Sequence, residues 1–132
     1  MQKEIGRVLG GAALLLIIGS TAAAADEWKT CANSGMNPYP TDISIAACTS
    51  LITSNEYKGE DLGDIFSNRG LQYLNAGQYD LAIQDFGQAI RLNPEDAWAF
   101  YGRGRAKQKM GDTAGANADI ARALQLRPDI GK

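Results

Sequence analysis

Four residues of one stretch, Trp98, Tyr101, Arg105 and Lys109, are spaced by three, four and four, which places them on a single stripe of a helix. Aromatic rings and Arg are the types in which binding energy concentrates. An extended peptide or a carboxylate-bearing tail can lie across Tyr101 while Arg105 forks onto an anion. A plainer reading competes for the same residues: Trp98 packs on a neighbouring helix and the cations are solvated. The other reactive side chains are Cys31 and Cys48, the only two cysteines. In an exported protein an even count reads as a disulfide. Closing 17 residues, the bridge contributes roughly 3 kcal/mol by the chain-entropy argument. The rivals are redox chemistry, which normally uses a close pair such as Cys-x-x-Cys, and a metal site, which would need carboxylates to complete it.

Catalysis finds few footholds. The chain has no histidine, so Ser-His-Asp, Cys-His and His-metal arrangements are excluded within one chain. Its glycines lack a phosphate-cradling Gly-x-x-x-x-Gly-Lys-Ser pattern. The carboxylate pairs Glu60–Asp61 and Glu95–Asp96 stand at helix starts, where capping and the helix dipole account for them. The expectation is no enzyme, no cofactor and no metal.

The stripe belongs to a stretch that is written twice. A shift of 34 residues sets Phe66 on Phe100, Arg69 on Arg103, Gly70 on Gly104 and Gly77 on Gly111. It continues with Ala82 on Ala116, Asp85 on Asp119, Ala89 on Ala123, Leu92 on Leu126 and Pro94 on Pro128. A fixed period decides architecture before any single residue does. Ile65, Phe66, Gly70, Tyr73 and Leu74 recur at helical spacing, and Gly77 supplies the turn. Tyr79, Ala82, Ile83, Phe86, Ala89, Ile90 and Leu92 form a second helical pattern. Pro94 cannot continue that helix and is expected to open the next. The small residues let backbones approach, and Phe66, Tyr73, Tyr79 and Phe86 fill the gaps.

A 34-residue helix-turn-helix period resembles the tetratricopeptide repeat. Gly70, Tyr73, Gly77, Tyr79, Ala82, Phe86, Ala89 and Pro94 stand at the family's spacing in the first copy. The second copy keeps Gly104, Gly111, Ala116, Ala123 and Pro128 and departs at Lys107 and Thr113. Both copies carry Phe where the family often has Trp, and Arg where it often has Leu. The resemblance spans residues 63–130. It implies an all-α chain of antiparallel helix-turn-helix repeats stacked as a short right-handed superhelix, an α-solenoid that binds protein in a concave groove. The family lines that groove with the first helix of each repeat. By that resemblance Asp64, Asn68, Leu71 and Asn75 join Trp98, Tyr101, Arg105 and Lys109 as groove residues. The family's carboxylate clamp uses two lysines, two asparagines and an arginine. Only Asn68 matches that set, with Trp98 and Gly102 where cations would stand, so a conventional clamp is not expected.

The N-terminal part completes the stack. Lys3 and Arg7 precede the apolar run Val8 to Ile18, followed by Gly19, Ser20 and Ala23-Ala24-Ala25. That is the layout of a secretory signal peptide cleaved after Ala25; the rival is a retained anchor, for which the run is short of the about 20 residues needed to span. Asp26 to Thr41, with Gly35, Pro38 and Pro40, reads as extended. A helix then starts at Asp42 as N-cap, with Ile43, Ala46, Ala47, Leu51 and Ile52 on its apolar side. Asp42, Ile45 and Ile52 fall on Asp80, Ile83 and Ile90, and Cys48 on Phe86, as in a second helix whose first is missing. The division is 1–25 signal peptide, 26–60 disulfide-tied segment and half repeat, 61–94 first repeat, 95–132 second repeat and short tail.

Charge sets the partners. Residues 26–102 hold 11 acids and 4 bases, and residues 103–132 hold 7 bases and 3 acids. The readings are solvated helix faces or a dipolar rod whose basic end, Arg103, Arg105, Lys107 and Lys109, attracts an anion. An exported acidic chain with a net charge of −2 disfavours nucleic acid, and no membrane contact is expected after cleavage. The expected function is a periplasmic or secreted scaffold for a protein or peptide partner. The alternative is a structural module that self-associates as a homodimer through its C-terminal helix pair, where Ala116, Ile120, Ala123 and Leu124 would be partly bare.

Overall fold

The computed structural model describes residues 24–33 and 38–132. Among them are six helices and no strand: α1 over residues 24–32, α2 (Thr41–Thr53), α3 (Gly59–Asn75), α4 (Tyr79–Leu92), α5 (Ala97–Lys109) and α6 (Thr113–Leu126). From α2 onward each helix packs on the next, and α3 also touches α5. That neighbour pattern is a helical solenoid, in which each hairpin contacts only those beside it. The signal-peptide reading falls almost wholly outside the described residues. No helix among them is long and apolar enough to cross a membrane.

The hairpin turns have a local cause. After α3 the Gly77 N–H donates to Leu74 O at 3.1 Å and the Gln78 N–H to Tyr73 O at 2.9 Å. After α5 the same pair recurs, from Gly111 to Gln108 and from Asp112 to Lys107. Both are Schellman closures, which need a left-handed residue; Gly77 and Gly111 supply φ of 74° and 87°. Asp96 caps α5 by accepting from the Ala99 N–H, and Asp112 caps α6 through Gly115. Pro94 does not open α5. It lies inside the Asn93–Asp96 turn, closed by Asp96 N–H to Asn93 O at 3.1 Å, and the helix begins at Ala97.

Packing between hairpins centres on Phe86, which is fully buried with Ala82, Ala89, Ala99 and Ala106. Its ring fits because two glycines face it. A Cβ on Gly70 of α3 would lie 3.1 Å from the ring, and one on Gly102 of α5 would overlap it. One period later Ile120 replaces the ring and faces Gly104, where a Cβ would lie 2.8 Å away.

The N-terminal segment departs from the sequence reading. Residues 24–32 are helical, not extended, because prolines restrain only themselves and the residue before them and Pro38 and Pro40 lie beyond. This helix occupies the place expected to be missing. The N-cap position of α2 is Pro40, with no side-chain capping bond, and Asp42 sits in the first turn. Its inner face is Ser44, Ala47, Cys48 and Leu51, while Ile43 is 49% exposed and Ala46 points outward. Those four positions stand 38 residues before Ala82, Asp85, Phe86 and Ala89, the buried face of α4. Cys48 thus takes the place of Phe86. It is bonded to Cys31 of α1 across a Cα–Cα distance of 4.7 Å, and the cystine fills with Leu51 and Ile65 the space a ring fills in the next hairpin.

The far end is less bare than expected. Beyond α6 the chain turns back, and Ile130, 4% exposed, packs on Ala97 and Ala123. Ala116 is buried and Ile120 half-buried, so of the four residues expected to be bare only Leu124 is exposed. The turn is closed by the Ile130 N–H donating to Arg127 O at 3.1 Å, with Pro128 inside it, and this brings Ile130 inward.

Candidate functional site

The first helices of successive hairpins, α1, α3 and α5, share one side of the stack and enclose a cavity of about 380 Å³. Residues 64, 67, 68 and 71 of α3 form one wall, at i, i+3, i+4 and i+7, and α5 forms the other with Trp98, Tyr101, Gly102 and Arg105. Trp28 of α1 closes one side, and Leu74 and Phe86 make the floor. Of the eight groove residues expected from sequence, Asp64, Asn68, Leu71, Trp98, Tyr101 and Arg105 are brought together here. Asn75 and Lys109 are not. Each is the last, exposed residue of its helix, past the end of the cavity.

Sequence reading missed Ser67, Asp96 and Trp28 as groove residues, and named Gly102 only as standing where a clamp cation would. Ser67 lies on the same stripe as Asn68 and was legible by spacing. Asp96 precedes α5 and was read only as a helix start. Trp28 carried no signal, because α1 was read as extended; its ring lies 5.5 Å from that of Tyr57.

The two aromatics of α5 are not equivalent. Trp98 is 51% exposed and meets Tyr101 edge-on at 6.2 Å. The Arg127 guanidinium from the tail lies 5.4 Å from the Trp98 ring centre. Tyr101 is half-buried and abuts Gly131, where a Cβ would meet its hydroxyl at 2.6 Å. The tail therefore helps set the position of both rings.

Charge is distributed differently from the dipolar rod. Arg103 and Lys107 do not face solvent as a basic end: Arg103 makes a two-pronged pair with Asp119 at 2.8 Å, and Lys107 reaches the same carboxylate at 2.9 Å. Burial pushes the Asp119 carboxyl up, but hydrogen bonds from Arg103 and Lys107 outweigh it and hold the group below its ordinary value. One period earlier Arg69 grips Asp85 at 2.7 and 2.8 Å and donates to Thr49 of α2 at 3.1 Å. The Asp85 hydrogen bond raises the Arg69 guanidinium further still, against its own burial. Arg105 and Lys109 have no ion-pair partner among the described residues. At the other end of the cavity, burial pushes the Asp64 carboxyl up, and the charges of Asp96, Asp61 and Glu60 add to it. The groove is acidic where α3 and α5 begin and carries a cation toward the end of α5.

Comparison with known proteins fits this architecture. A TPR repeat family model matches residues 64–111. Tetratricopeptide repeat protein 36 of Homo sapiens is 41% identical over 64 residues, which is 48% of this chain and 34% of that protein. Cellulose synthase operon protein C of Escherichia coli strain K12 is 33% identical over 85 residues, 64% of this chain and 7% of that protein. The chain thus spans about a third of the length of the first of these curated relatives, and less of the second. Among solved structures, the second TPR of Spaghetti (RPAP3) bound to HSP90 peptide SRMEEVD superposes with a TM-score of 0.60 at 29% identity, covering 66% of this chain and 72% of that one. The Arabidopsis OM64 TPR domain superposes at 0.63 with 23% identity, covering 69% and 72%. The 34-residue period, the stacked hairpins with their glycine turns and these likenesses converge: residues 64–111 match the tetratricopeptide repeat, and the described helices stack as a TPR-like all-α solenoid.

Proposed function

We propose that the chain is an exported interaction scaffold whose groove takes an extended segment of a partner protein. The observation that carries this reading is the cavity across α1, α3 and α5, with an apolar floor, aromatic rings on its α1 and α5 sides, and charges at both ends that have no ion-pair partner among the described residues. A few placed polar groups around an apolar trough are what an orienting site needs. The RPAP3 domains, whose solved structures hold an HSP90 peptide or an HSP70 peptide, support a peptide as the class of occupant. The chemistry of the ends must differ, since this groove offers Arg105 as its cation and has Trp98 and Gly102 where clamp cations would stand. Arg105 is the residue placed to receive an acidic group of the partner. Export is supported by the residue pattern of positions 1–25 and by a buried cystine, which persists in oxidising compartments. The tail over Ala97 and Ala123 favours groove binding over self-association through the last hairpin.

The test is a crosslinking capture from the native envelope fraction, comparing the wild type with Tyr101→Ala/Arg105→Ala. The expected result is loss of the captured partner while the helical spectrum and melting curve stay those of a folded protein. An unchanged capture profile rules groove binding out.

A further inference from the structure

Resting on the groove reading, we infer that the occupant is an extended segment carrying a Lys or Arg side chain at the α3–α5 starting end of the cavity and a carboxylate about four residues away at Arg105. The first half follows from charge complementarity. Asp64 and Asp96 line the cavity, and Glu60 and Asp61 stand on the first turn of α3 beside them. None of the four has an ion-pair partner among the described residues. The Asp64 carboxyl is raised first by burial and then by this same crowding of like charge. Aromatic surface lies next to these carboxylates: Trp98 is half exposed, with Tyr101 set against its edge. A ring face beside carboxylates suits a guanidinium or ammonium. The tail already demonstrates the contact, since the Arg127 guanidinium sits 5.4 Å from the Trp98 ring centre.

The spacing follows from helix geometry. Asp96 and Arg105 are nine residues apart on the α5 segment, which at the helical rise is about 13 Å. An extended strand covers that distance in about four residues. The apolar floor of Leu74 and Phe86 lies between the two ends, so the intervening residues are apolar on the side that faces it.

The probe is a blocked nonapeptide with the core Arg-Leu-Thr-Leu-Glu, titrated by fluorescence anisotropy into the disulfide-intact chain. Two companions replace its Arg by norleucine or its Glu by Gln. Each replacement is expected to weaken binding about fivefold, the size of one partly screened charge contact. Asp64→Asn/Asp96→Asn is expected to weaken the parent by the same factor and leave the norleucine peptide unchanged; Asn at 96 keeps the helix cap. The inference is overturned if norleucine binds as well as Arg, or if the double variant weakens both peptides alike. If no peptide binds but Tyr101→Ala/Arg105→Ala still abolishes native capture, the inference falls and the groove stands. If that capture is also unaffected, both fall.

Discussion

Replacing Asp119 by Asn removes one charge from a cluster in which two cations depend on it. The carboxylate side chain is 7% exposed, and Arg103 and Lys107 are 23% and 22% exposed. A fully buried pair broken on one side costs about 3–5 kcal/mol, and an exposed pair costs about 1 kcal/mol or less. With both cations about a fifth open to water, the intermediate figure of about 2 kcal/mol applies. In urea, where a chain of this size loses about 1–1.5 kcal/mol per molar, the midpoint should fall by about 1–2 M. The pH dependence gives a second check. Asp119 is held below the ordinary carboxylate value of 3.8, so its contribution is fully present above that value and is lost as pH falls through the lowered one. Wild type and D119N should therefore differ by a constant amount near neutrality and converge in strong acid. Asp129→Asn is the control, because the Arg127–Asp129 pair is 50% and 73% exposed and its loss should leave the midpoint unmoved. A D119N midpoint no lower than that of the control, or a gap that does not narrow as the pH falls below 3.8, would refute the argument.

Other substitutions probe the packing. Ser44 is buried, with its hydroxyl unpartnered among the described residues, at the position where the other second helices carry Ala82 and Ala116, so Ser44→Ala should add about 1 kcal/mol, read as a melting point several degrees higher. Gly102→Ala drives a methyl into the Phe86 ring and should cost about 2 kcal/mol; adding Phe86→Leu should recover part of that loss in a urea titration. Ile130→Ala empties the contact on Ala97 and Ala123 and should cost about 2 kcal/mol, with altered tryptophan emission as Arg127 leaves Trp98.

What the sequence made legible was whatever repeats or punctuates. The period of 34 placed α3 to α6, and Gly77 and Gly111 marked their turns, because a left-handed residue at a helix end has few substitutes. The offset of 38 set Cys48 on Phe86, and Ala47 and Leu51 were read on the apolar side, yet the choice of Ile43 over Ser44 followed hydrophobicity where helical register decides. Helix α1 was hidden by Pro38 and Pro40, whose influence is local, and by a fold that holds it through Cys31 rather than through an apolar stripe. Arg69 on Arg103 and Asp85 on Asp119 were visible as identities. Their pairing was not, since the partners lie 16 residues apart on different helices and nothing in one dimension points one at the other. That is why Arg103 and Lys107 read as a free basic end. In the groove, Asp64, Asn68, Leu71, Trp98, Tyr101 and Arg105 were legible because both walls are regular helices, whereas Trp28 required a helix that was not foreseen.

The ring of Phe86 works as a spacer. Lodged between a glycine of α3 and a glycine of α5, it fixes how far apart the two walls of the cleft stand, from a position beneath them. Its thickness is therefore an adjustable gauge of aperture: a slimmer side chain there would narrow the opening while every residue along the rim kept its identity. The width of the cleft and the charge along its rim are thus set by different residues, and either can be changed without rewriting the other.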